Sequence, residues 1–131
     1  MTSPRDIRPS GAYTEYGLTT YPTTNVAGAG LRLWLPEGAV PGPEFEVDSR
    51  GRWSAYVPRA DADRIYRLTT RARWRGHDVE VVELRDGRLR LEGWTSPPPP
   101  GTTTPENTYW QVWVDPQDVT DVVETVREIA P

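Results

Sequence analysis

Apolar and polar positions alternate along most of this chain, and the alternation predicts a succession of short strands. Ala12 to Tyr16 and Leu18 to Tyr21 lie on either side of Gly17, and Leu31 to Leu35 sets three leucines against Arg32 and Trp34 on the opposite face. Pro36 ends that strand. Glu44 to Asp48 and Arg52 to Val57 flank Ser49, Arg50 and Gly51 and read as a hairpin. Phe45 and Val47 stand on one arm, and Trp53, Ala55 and Val57 on the other. Pro58 then opens a short helix over Arg59 to Tyr66 with Ala60 and Ile65 inward.

The clearest strand pattern follows. Leu68, Thr70, Ala72 and Trp74 alternate with Thr69, Arg71 and Arg73, the chain turns at Arg75-Gly76-His77, and Asp78 to Arg85 and Arg88 to Trp94 flank Asp86-Gly87. Asp-Gly suits a type I′ turn, so the register counts outward from it: Leu84 opposite Leu89, Glu83 opposite Arg90, Val82 opposite Leu91. Adjacent Val81 and Val82 interrupt the alternation and suggest a bulge. Thr95 to Asn107, with four prolines in a row at Pro97 to Pro100, reads as an extended polyproline connection. Thr108 to Val114 returns as a strand with Tyr109, Gln111 and Trp113 on one side and Trp110, Val112 and Val114 on the other.

Asp115-Pro116-Gln117-Asp118 has the form of an N-cap, a proline at N1 and an acidic first turn. Val119, Val122, Val123, Val126 and Ile129 follow at helical spacing and predict an amphipathic helix over Pro116 to Ala130. These elements imply an α+β fold: a bent antiparallel sheet of about six or seven strands, partly SH3-like, with the C-terminal helix packed on one face. Residues 1–10, with Pro4, Arg5, Asp6, Arg8 and Pro9, read as a disordered tail before a single domain over 11–131, whose Pro-rich internal loop is 95–107. A chain of 131 residues can bury one adequate core.

Composition narrows the chemistry. Six Trp stand beside no Cys, no Lys and one His. The missing cysteines remove disulfides, thiolate metal sites and a thiol nucleophile, and fit a reducing cytoplasm; the missing lysines remove Schiff-base and Walker chemistry. No apolar run is long enough for a bilayer span, and the expected location is cytoplasmic with no membrane contact. A net charge of -4 argues against nucleic acid as the partner, although the charge is uneven. Arg59 to Arg90 holds nine Arg against six carboxylates, a net +3, whereas Gly101 to Pro131 holds one Arg against six carboxylates, a net -5. The two stretches either complement each other within the fold or mark two faces for partners.

His77 beside Asp78 has the form of a general base with its orienting carboxylate, but it sits at a turn where polar residues are expected. Ser54 lacks a nucleophile-elbow motif, and Gly28-Ala29-Gly30 lacks the third glycine of a dinucleotide loop. Glu44 with Glu46, and Asp61 with Asp63, have no loop supplying further oxygens, so no metal site and no cofactor are expected. Arg71 and Arg73 form a guanidinium row that Asp78 and Glu80 on the next strand can neutralise. Aromatic residues are the remaining signal. Trp110 and Trp113 lie on opposite faces of one strand, so whichever faces away from the helix, with Tyr109 and the neighbouring Arg71 and Arg73, is the expected contact surface for a protein partner.

A small, acidic, cysteine-free chain with exposed aromatics and no catalytic set resembles the immunity proteins of bacterial toxin systems. The resemblance is one of general character over the whole chain and carries no diagnostic motif, so it transfers no residues. It implies a stoichiometric toxin inhibitor without catalytic activity, whose acidic surface suits a basic toxin domain. The rival readings are a small adaptor that binds nucleic acid or an acidic partner through the arginine row, and a small enzyme using His77.

Overall fold

The computed structural model describes residues 7–36, 38–106 and 109–129, and almost all of its regular structure is strand. In chain order the strands are β1 (Gly11–Tyr16), β2 (Thr19–Thr24), β3 (Gly30–Trp34), β4 (Glu46–Val47), β5 (Trp53–Pro58), β6 (Arg64–Trp74), β7 (His77–Arg85), β8 (Arg88–Gly93), β9 (Thr103–Glu106), β10 (Tyr109–Val114) and β11 (Thr120–Ile129). They hydrogen-bond in the order β4-β5-β3-β2-β1-β6-β7-β8-β10-β9, with β11 beside β6. Single 3-10 turns occur at Arg59–Asp61 and Pro116–Asp118, and among the described residues no helix reaches seven residues. An antiparallel sheet of eleven strands therefore replaces the expected α+β fold, its six or seven partly SH3-like strands and its C-terminal helix.

The helix expected over Pro116 to Ala130 fails for a local reason. Its start signal is real: Asp115 and Asp118 form a reciprocal capping box around Pro116. The turn then stops, because Val119, Thr120, Val122, Val123, Thr125, Val126 and Ile129 are all β-branched and stiff at χ1. Such a run gains more from pairing with β6 than from helical hydrogen bonds. Inside β11 Asp121 adopts φ +52, and of its valines Val122 is half-buried while Val123 and Val126 are exposed, so the valine stripe does not form a buried face. The helix expected after Pro58 likewise shrinks to Arg59–Asp61, since Arg64 and the residues after it are taken by β6. The expected polyproline connection ends early, with Thr103–Glu106 pairing as β9 on β10.

The chain divides into two compact units, one of residues 7–10 and 68–125, the other of residues 11–67 and 126–129. In the first, the even residues of β6 from Leu68 to Trp74 are buried with Val79, Val81, Leu89, Leu91, Trp110 and Val114. Ile7 belongs to that core at 4% exposure, and Ser10 caps it by donating its N–H to the Val81 carbonyl and accepting the Thr70 N–H at Oγ. The last four residues of the segment read as a tail are thus tied down by apolar burial and two hydrogen bonds. The Asp86-Gly87 turn has both residues at positive φ, and Leu84 faces Leu89 while Glu83 faces Arg90, as counted from the sequence. Val81, not Val82, faces Leu91, because the bulge anticipated at this pair makes Val82 the extra residue.

The second unit packs Leu31, Leu33, Phe45, Ala55, Val57 and Ile65 into a core that Tyr16, Tyr21 and Ile129 extend. The hairpin of β4 and β5 closes through Asp48, whose carboxylate accepts the N–H of Arg50 and of Arg52 at 2.9 Å each. Leu31 and Leu33 point inward, so Arg32 and Trp34 are left on the outer face.

Candidate functional site

The β3 register places the main site. Arg32 pairs across to Tyr56 on β5 and to Thr24 on β2, and Trp34 pairs across to Ser54. The Arg32 guanidinium lies 4.3 Å from the Tyr56 ring centroid and 5.4 Å from that of Trp34, and it donates to the Tyr56 hydroxyl. Arg52 stacks on Trp34 at 4.9 Å, so one indole takes two guanidinium groups. The indole N–H of Trp34 donates to Thr24 Oγ1 at 3.1 Å, which fixes the ring in the plane of the lattice. Tyr56 is 62% exposed and Trp53, beside Arg52 in sequence, is 37% exposed. Among the described residues Arg32 meets no carboxylate, whereas Arg52 is also held by Asp48 at 3.1 Å. Backbone and guanidinium donors from Arg52, with the Arg50 N–H, keep the Asp48 carboxyl below the ordinary carboxylate range.

The surface expected from the sequence is differently composed. Trp110 is 1% exposed: it pairs across to Gly93, packs against Trp74 at 5.8 Å, and donates its indole N–H to Thr95 Oγ1 at 3.2 Å. It is a core residue and offers nothing to a partner. Trp113, of the opposite parity, is half-buried, as is Tyr109. Arg71 is exposed and pairs across to Glu80, and Arg73 is exposed with Asp78 at 3.3 Å and the Gly76 carbonyl at 2.6 Å. Of this row only Arg73 is in an ion pair among the described residues, while Arg71 stands opposite Glu80 in the strand register. His77 does not pair with Asp78. Its Nδ1 lies 3.2 Å from Thr95 Oγ1 and its ring meets Trp110 edge-on, so the imidazole supports the buried indole.

Trp113 instead borders a groove of about 370 Å³ in the same unit, lined by Trp74, Arg75, Arg88, Pro100, Gly101, Val112, Trp113, Val114 and Asp118. Arg88 reaches the Trp113 carbonyl at 3.3 Å and Asp115 at 3.6 Å, and Arg75 stacks on Trp74 at 4.6 Å. Three of the six carboxylates of the C-terminal stretch are engaged in internal pairs among the described residues: Arg8 with Glu124 at 3.2 Å, Arg88 with Asp115, and Arg64 with Glu128. The Arg64 guanidinium holds the Glu128 carboxyl below its ordinary range and is itself pushed up by that partner.

Comparison with protein-family models, with curated proteins and with solved structures found no match. The site therefore rests on its own geometry. Among the described residues no group of three or more His, Asp or Glu side chains is placed to hold a metal ion, and no helix is long and apolar enough to cross a membrane. Arg32, Trp34, Arg52 and Tyr56 were not among the residues expected at the site. Their signal was present in Leu31 to Leu35, where Arg32 and Trp34 share the face opposite the leucines. What the sequence does not show is that β5 brings Tyr56 and Arg52 to the same face.

Proposed function

We propose that this chain is a non-catalytic protein-binding domain that works through the lattice of Arg32, Trp34, Arg52 and Tyr56. The observation that carries the reading is Arg32 lying over the 62% exposed ring of Tyr56 with no carboxylate partner among the described residues. Tyrosine, tryptophan and arginine are the residue types that dominate binding hot spots, and stacking holds them in place before a partner arrives. A partner carboxylate set against Arg32, with an apolar side chain on Tyr56, completes the contacts the lattice leaves open. Toxin neutralisation in the cytoplasm is the narrower form of this reading, supported by the small, cysteine-free, lysine-free composition and by the resemblance to immunity proteins. Attraction of a basic toxin by the C-terminal carboxylates has less support than their number suggests, because Glu124, Glu128 and Asp115 already face arginines.

The test is affinity capture from the native cell followed by calorimetry of the captured protein with Arg32→Ala and Tyr56→Ala. The expected result is a partner whose affinity falls at least thirtyfold in either variant, the equivalent of about 2 kcal/mol at a hot spot, with the variants still folded. Unchanged affinity in both variants overturns the assignment of the surface. Co-expression of the captured protein tests the narrower reading: toxicity relieved by the wild-type chain and restored by Arg32→Ala supports it, and a harmless partner removes it.

A further inference from the structure

We propose that the groove beside Trp113 is a binding site for small planar carboxylates, independent of the protein-binding lattice. Its volume of about 370 Å³ is at the small end of small-molecule sites, roughly 300–1,000 Å³. Two arginines border it, and each is oriented by contacts that leave donors over. Arg88 gives one N–H to the Trp113 carbonyl at 3.3 Å and lies 3.6 Å from Asp115, while a guanidinium has about five N–H donors in a fixed plane. Arg75 follows the last residue of β6 at φ +50, paired with Gly76 at φ +80, so a tight turn sets where its side chain starts. Its guanidinium lies 4.6 Å from the centroid of the buried Trp74 ring and meets no carboxylate among the described residues. Stacking uses the face of the guanidinium and leaves its edge for an anion.

Asp118 also lines the groove and contributes a negative charge there, with Oδ2 accepting the Asp115 backbone N–H at 3.3 Å; with Arg88 set against Asp115, the cation that meets no carboxylate among the described residues is Arg75. The remaining lining residues are Trp74, Pro100, Gly101, Val112, Trp113 and Val114. Guanidinium groups beside tryptophan and proline residues fit a carboxylate attached to an aromatic ring better than a spherical anion, because a ring can add apolar contact while the carboxylate takes paired N–H donors.

Calorimetry on the full chain with benzoate and indole-3-acetate, against benzamide and inorganic phosphate, tests the site. The expected outcome is saturable binding of an aryl carboxylate with a Kd below about 1 mM, at least tenfold weaker binding of benzamide and of phosphate, and a tenfold loss in Arg75→Gln or Arg88→Gln. The Trp113 indole N–H resonance, assigned by its disappearance in Trp113→Phe, should shift on titration while the Trp34 resonance stays in place. Should Arg88→Gln unfold the chain, Arg75→Gln carries the test, since Arg75 holds no ion pair among the described residues that folding would lose. Failure of both carboxylates to saturate, equal binding of benzamide, phosphate binding as tight as benzoate, or heat without a shift at Trp113 each overturns the proposal.

Discussion

Arg32 in one unit and most arginines of the other differ in their partners, and the difference bears on which surface a partner could use. In the unit built around Trp110 the arginines mostly face carboxylates across or along the strands, Arg73 with Asp78, Arg90 with Glu83 and Glu92, Arg88 with Asp115, although Arg75 lies over Trp74 and Arg85, paired with Glu83, over Trp113. In the unit built around Trp34, Arg32 lies over Tyr56 and Trp34 with no carboxylate among the described residues, whereas Arg52 on Trp34 is also paired with Asp48, and Arg64 on Tyr66 with Glu15 and Glu128. An ion pair offsets both charges, so what it leaves for a partner is the guanidinium's unused N–H donors. A guanidinium on an aromatic face is positioned but keeps its edge donors, so the same residue type becomes a preorganised contact. The tryptophans divide in the same way, with Trp110 in the core of the first unit and Trp34 on the outer face of the second.

The largest effect that probes this contrast is at the two indoles. Trp110→Ala should cost about 3–5 kcal/mol, because the ring is 1% exposed and packs against Trp74, Gly93 and His77. Trp34→Ala should cost closer to about 1 kcal/mol, the scale of exposed stacking. Denaturant unfolding of the two variants, followed by circular dichroism, breaks the contrast if their midpoints fall together. Next in size is Gly93→Ala, expected to destabilise by about 1–3 kcal/mol. A Cβ at Gly93 lands inside the van der Waals surface of the Trp110 ring, and neither the strand nor the packed indole can easily yield. A midpoint unchanged in this variant contradicts the close packing of glycine and ring.

Buried threonines sharpen the comparison at smaller scale. Thr14 and Thr23 are hydrogen-bonded to each other at 2.8 Å in the Trp34 unit, whereas the buried Thr70 Oγ1 of the Trp110 unit has no partner among the described residues. Thr14→Val should therefore cost about 1 kcal/mol, and Thr70→Val should be neutral or stabilising, because removing an unsatisfied hydroxyl removes a desolvation penalty. Thermal midpoints in the reverse order disprove the hydrogen-bond assignment.

The smallest effect expected is on acid sensitivity. Asp48 and Glu128, both in the Trp34 unit, have carboxyls held below their ordinary values of 3.8 and 4.5, the first mainly by the Arg52 backbone donor, the second by the Arg64 side chain. A lowered folded-state value means stability that is fully present above the ordinary range and lost as pH falls through it and below. Asp48→Asn and Glu128→Gln should each lower the thermal midpoint slightly at neutral pH and flatten its decline below that range, so that variant and wild type converge in acid. A decline as steep as the wild type in both variants locates the acid-sensitive groups elsewhere.

Much of this architecture was legible along the chain. The Asp86-Gly87 turn, the registers Leu84 to Leu89 and Glu83 to Arg90, the bulge beside Val81 and the hairpin around Ser49-Arg50-Gly51 all follow from local turn chemistry and a period of two. The proposed contact surface was legible only in part. Arg32 and Trp34 stand out against the leucines, but Trp110 and Trp113 look alike until β8 and Gly93 cover one of them.

What the sequence by itself determined is the set of strands whose signals are local: alternation, paired turn residues with positive φ, and the capping box at Asp115. Only the tertiary structure decided the fate of residues 119–129, because valines spaced three and four apart satisfy a helix and an irregular strand equally well, and pairing with β6 is a contact with residues more than forty positions away. Tertiary structure likewise decided that Arg32 rests on Tyr56 and Arg73 on Asp78. Both arginines sit on the polar face of an alternating strand; which group meets each one depends on the neighbouring strand, and alternation within a single strand carries no information about its neighbour.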